Sequence, residues 1–96
     1  IVNSATLNNT TWYHVVAWRS PSTGEFGITI NNGTPVTGTA SSSICPDTYG
    51  FTMGAYVDAG AYFDGQLDEW GLWTKKLSPS ERSESYNGGA GKTYPF

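Results

Sequence analysis

FDGQLDEWGLWTKKLSPSE, residues 63–81, sets two adjacent carboxylates, Asp68 and Glu69, between Leu67 and the apolar run Trp70, Leu72 and Trp73. The apolar positions change phase along it: Phe63 and Leu67 share one parity of an extended chain, Trp70 and Leu72 the other. A β-bulge or bend near Asp68 and Glu69 would let all four reach one core, so the expectation is a long strand over 63–73 that is broken near its middle. A helix start follows. Ser78 at the N-cap, Pro79 at the first helical position and Glu81 two residues later make a capping box, and Asn87, Gly88 and Gly89 mark the end of a short helix after Tyr86.

Outward from this block, WYHVVAW (12–18) is a β-branched and aromatic run that reads as a buried strand, entered from the turn-prone Asn8, Asn9 and Thr10 and closed by Pro21, Ser22, Thr23 and Gly24. Residues 26–30 alternate, with Phe26, Ile28 and Ile30 facing one way and Gly27 and Thr29 the other, the period of a half-buried strand. Asn31, Asn32 and Gly33 accept the positive φ of a tight hairpin, from which 34–38 returns as a strand. Residues 39–49 read as a polar loop around Cys45 and Pro46, 51–54 as a short strand and 55–61 as a loop. The sum is five or six antiparallel strands and one short helix.

Ninety-six residues allow one domain. The formal net charge is -3 with 14% charged residues, and Lys75 and Lys76 are the only adjacent basic pair, so no cationic stripe exists to neutralise phosphates and nucleic acid is excluded as a partner. Twelve glycines with abundant Thr, Ser and Asn suit a secreted β-rich module. The single Cys45 rules out an internal disulfide and the multi-cysteine zinc motifs. No apolar run nears the roughly 20 residues that span a bilayer, so membrane insertion is not expected. The first residue is Ile1, and the expectation is a mature product, a proteolytic piece or part of something longer.

WYHV, FGITINNG, FDGQLDEWGLWTKKLSPSE and SYNGG, in this order and at this spacing, resemble the second half of laminin G-like and pentraxin-like jelly rolls of the concanavalin A-like lectin/glucanase superfamily. The resemblance covers nearly the whole chain and is most specific in its last block. It implies an all-β, antiparallel jelly-roll β-sandwich. The strands that precede the Trp-His-Val strand in that family have no counterpart here, so residues 1–96 are expected to be the C-terminal part of a single laminin G-like domain. An upstream segment or another subunit would then complete the sandwich, and an unpaired sheet edge would invite it.

Three chemistries compete for the polar residues. The glucanase branch of the superfamily places alternating carboxylates in one cleft, about 5 to 9 Å apart. Asp64, Gln66 and Asp68 share a strand face but lack the branch's Glu-x-Asp-x-x-Glu pattern, and Gln66 stands where an acid is needed. His14, alone and inside a strand, suits neither a nucleophilic triad nor zinc and reads as a histidine bonded to a neighbour. Asp68 and Glu69 read as scaffold groups that accept hydrogen bonds beside the bulge, and Trp12, Trp18, Trp70 and Trp73 as core. No enzymatic activity is therefore expected.

Binding remains. With antiparallel strands, the loops at 8–11, 31–33 and 55–62 share one edge, which gathers Asn8, Asn9, Asn32, Tyr56, Asp58, Tyr62 and Asp64. Tyr56 and Tyr62 are the candidate sugar platforms, and amides and carboxylates beside them suit a glycan, although a plain polar loop edge would look the same. Asp58 and Asp64, with loop carbonyls, offer the oxygen donors of a Ca²⁺ site. Asn8, Asn9 and Asn32 also sit in N-x-[ST] sequons. Two functions are thus expected to compete. One is an extracellular, secreted or particle-surface module that binds a glycan or protein surface. The other is a structural interaction module of an extracellular or virion assembly.

Overall fold

The computed structural model describes residues 6–40, 51–56 and 60–95. Its framework is a three-stranded antiparallel sheet in the order β1-β2-β3, formed by Val15–Arg19, Glu25–Ile30 and Val36–Thr39. The register sets Val16 opposite Thr29, Trp18 opposite Gly27, and Gly27 opposite Thr37. Asn31 and Asn32 adopt φ of 50° and 54°, the left-handed values that asparagine tolerates, and Gly33 N–H closes the turn on Ile30 O at 2.9 Å. β1 starts later than the aromatic run suggests. Thr10 is left-handed (φ 65°), and Trp12 stays exposed outside the ladder.

Pro79–Tyr86 forms α1, whose capping box is complete: Glu81 N–H donates to Ser78 Oγ, and Ser78 N–H donates to Glu81 Oε2. Asn87, left-handed at φ 48°, ends the helix and leads into a 3₁₀ turn at Asn87–Gly89. The segment from Lys76 to Tyr86 lies over one face of the sheet. Arg82 and Lys76 approach the Trp18 ring at 5.0 and 5.1 Å, and Trp18 Nε1–H donates to Glu25 Oε1. An indole fits there because Gly27 lies beneath it: a Cβ at Gly27 would come within 2.5 Å of the Trp18 ring.

The two sides of β2 alternate as expected. Gly27 and Thr29 are buried, Thr29 1% exposed with its Oγ1 donating to Gly33 O, while Phe26, Ile28 and Ile30 are half-buried; Thr37 and Thr39, on the Gly/Thr side of β3, stay exposed. One expectation is overturned: neither the short strand at 51–54 nor the long one over 63–73 forms. A single antiparallel bridge, Ala55 to Tyr62, is all the pairing among the described residues of 51–73. Strands are held by ladders, and among the described residues 63–73 has no strand beside it to bond.

The bend expected in this stretch is present. Glu69 is left-handed at φ 50°, and Asp68 Oδ1 accepts the Glu69 N–H at 2.8 Å, so the first carboxylate stabilises the local turn as a scaffold group would. The bend does not deliver the apolar residues to a core. Phe63, Leu67, Trp70 and Leu72 are 58%, 46%, 52% and 82% exposed, and of the four tryptophans only Trp18 is half-buried, the others being exposed. Leu77 is the one large hydrophobic side chain buried among the described residues.

Candidate functional site

Residues 54–56 and 61–63 pair as a narrow antiparallel ribbon. Tyr56 N–H donates to Ala61 O at 2.9 Å and Phe63 N–H to Gly54 O at 2.8 Å, on either side of the Ala55–Tyr62 bridge. Gly54, at φ 70°, turns the chain into this ribbon and lies against Leu67, whose Cδ1 would be 3.3 Å from a Cβ placed there. The contact folds 65–70 back along the ribbon. Between them lies an open groove of about 420 Å³, floored by Gly54, Ala55 and Ala61 and walled by Tyr56, Tyr62, Phe63, Leu67 and Trp70.

The walls are aromatic and exposed, Tyr62 at 80% and Tyr56 at 65%. Among the described residues no charged side chain lines the groove. Such a surface can stack on the C–H face of a sugar ring while the tyrosine hydroxyls bond its oxygens.

The sequence candidates divide. Tyr56 and Tyr62 meet in the groove, with Asp64 exposed one residue beyond its wall. Asn8 lies in the turn before β1, where its N–H donates to the Tyr13 hydroxyl, and Asn32 is at the exposed hairpin tip; neither lines the groove. Asp58 and Cys45 lie outside the described residues. Among the described residues no three His, Cys, Asp or Glu side chains gather; Asp58, half of the expected Ca²⁺ pair, lies outside them.

Trp70 and Phe63 are the site residues that sequence reading misassigned to the core. Phe63 and Trp70 are 58% and 52% exposed, and a hydrophobic pattern signals apolar character rather than what lies over a residue. Asn31 was also missed: its Oδ1 accepts the His14 N–H at 2.9 Å and ties the hairpin to the start of β1.

Charged groups elsewhere serve the scaffold. Lys75 bonds Glu81, Lys92 bonds Glu84 and Lys76 bonds Glu25. The bond from Lys75, aided by Ser78 N–H, holds the Glu81 carboxyl down at about 2, and Lys76 and Trp18 lower Glu25. His14 Nε2 lies 2.9 Å from Ser85 Oγ, the neighbour bond expected of it, and burial lowers its pKa.

A three-stranded antiparallel sheet followed, after a Leu-Ser step, by one short capped helix makes this a β module with a single helix among the described residues beyond a 3₁₀ turn. The family model described as the concanavalin A-like lectin/glucanases superfamily, a laminin G type, matches residues 1–81, and the chain belongs to that family. No curated protein and no solved structure matches the chain. Laminin G-like domains are usually non-enzymatic and typically extracellular, though the superfamily also holds glycosidases. Among the described residues no helix is long and apolar enough to cross a membrane.

Proposed function

We propose that the chain is a non-enzymatic, extracellular recognition module that binds carbohydrate in the groove between Tyr56, Tyr62 and Trp70. One observation carries this reading: four aromatic side chains, the fourth being Phe63, stand exposed around a single groove in a chain with few other apolar contacts to spare. Each ring can pack on a pyranose face. Asp64 and Asp68, the carboxylates a glycosidase would need, have no acid between them in sequence, and neither lines this groove. Titration of the full chain with neutral and acidic oligosaccharides, followed by calorimetry, tests the reading. Binding that falls about tenfold or more in Tyr62→Ala, as loss of a stacked ring predicts, supports it, and turnover of any glycan would refute the non-enzymatic part.

The apolar sheet face supports a second reading, a structural interaction module. Phe26, Ile28 and Ile30 each gain about 1.5 to 3 kcal/mol only on full burial, and they lie half-open beside Val15, which is exposed. In this reading residues 1–96 are the C-terminal part of a jelly roll whose second layer comes from an upstream segment or another subunit. Sedimentation and thermal unfolding of residues 1–96 test it: aggregation or a broad transition is expected, and a monomer with a sharp transition would contradict it.

A further inference from the structure

His14 precedes β1 and shares the covered face with Val16 and Trp18. Its backbone is fixed to the hairpin on both sides, the N–H to Asn31 Oδ1 and the carbonyl accepting Asn31 N–H at 2.8 Å. Its ring reaches α1. Nε2 is 2.9 Å from Ser85 Oγ, and the ring centroid is 5.7 Å from that of Tyr86 at a tilt of 54°. Nδ1 is buried without a hydrogen-bond partner among the described residues.

This geometry selects a tautomer. If the neutral ring carried its proton on Nδ1, a buried donor would be unpaired; carried on Nε2, the proton is donated to Ser85 Oγ and Nδ1 is left as a bare lone pair, the lesser cost. A second proton must go to Nδ1, where it finds no acceptor. The groups facing the ring offer no compensation. α1 presents the Ser85 hydroxyl, the Tyr86 phenol and, one turn earlier, the Arg82 cation on Trp18; the hairpin presents the neutral Asn31 amide. Glu81 and Glu84 are engaged by Lys75 and Lys92.

We propose that His14 is a pH-sensitive latch that holds the C-terminal half of α1 on the sheet at neutral pH and releases it in mild acid. The sign follows from burial, which lowers the folded-state pKa below the ordinary 6.5. Protons then bind the undocked form more readily, so docking is at full strength above 6.5 and weakens as the pH falls from there through the folded value. Glu25 and Glu81, both lowered, stay ionised across that window. The ion pairs with Lys76 and Lys75 persist, and release is confined to the end of the helix that carries Ser85 and Tyr86.

Hydrogen exchange of the full chain, read at about pH 7.5 and about pH 5 after correction for intrinsic rates, tests the latch. Protection of the amides at 83–87 should be lost at the lower pH relative to that of β2. In His14→Gln, which keeps a neutral donor near Ser85, that difference should vanish. An unchanged profile in the wild type, or the same loss in the variant, would overturn the proposal. Should the variant fail to fold, NMR titration of the His14 ring decides: a midpoint below 6.5 supports the latch, and one at or above it refutes it.

Discussion

Trp18 and Trp70 are the same side chain in two halves of one small chain, and they are held differently. Trp18 lies on Gly27 in the middle of the sheet, takes two cations from the α1 segment on its ring and donates its indole N–H to Glu25. Trp70 stands half in solvent at the edge of a groove that it shares with Tyr56, Tyr62, Phe63 and Leu67. In the first half aromatic surface holds the fold together. In the second it is presented outward, which is why binding is proposed for the groove and stability is ascribed to the sheet and α1.

Substitution at the two tryptophans separates these roles most strongly. Trp18→Ala removes ring packing and both cation contacts and should cost about 3 kcal/mol in chemical unfolding, enough to unfold much of the population. Trp70→Ala should cost less than about 1 kcal/mol in the same experiment. Equal losses at the two sites would erase the distinction between the halves.

The helix cap sharpens the comparison from the stable side. Ser78→Ala breaks the reciprocal bonds with Glu81 and should lower stability by about 1 kcal/mol, with no change in sugar binding measured by calorimetry. Acid acts on the same element. Because Glu81 is held at about 2, against an ordinary 4.5, its contribution is present above 4.5 and is lost as the pH falls from 4.5 toward 2. Far-UV circular dichroism should show α1 melting in that range, and Lys75→Met should flatten the dependence.

The smallest expected effect is that of chelation. Stacking on aromatic walls needs no ion, so EDTA should leave sugar affinity unchanged. Loss of binding that Ca²⁺ restores would instead assign an ion to Asp58 and Asp64.

Local signals made much of the stable half legible. The alternation of 26–30, the Asn-Asn-Gly turn and the Ser-Pro-Ser-Glu box each specify backbone geometry within a few residues, and β2, β3 and α1 follow. Coverage was not legible. Parity separates Phe26, Ile28 and Ile30 from Gly27 and Thr29, but which side of β2 is buried depends on Trp18 and on a helix some fifty residues away. The same limit misplaced Trp70 and Phe63. Apolar character signals a wish for burial, and only the three-dimensional arrangement reveals whether anything lies over the residue. The bend at Asp68 and Glu69 was legible because a phase slip is local. Tyr56 and Tyr62 were legible as a pair because they flank one short loop.

Tyr62→Ala tests the division of labour most directly, with thermal unfolding and sugar titration measured on the same preparation. The account predicts an unfolding midpoint within about 2 °C of the wild type and binding weakened about tenfold or more, since a side chain 80% exposed contributes little to the fold. A collapsed transition, or binding that survives intact, would show that the aromatic groove belongs to the core or to an interface and not to a sugar site.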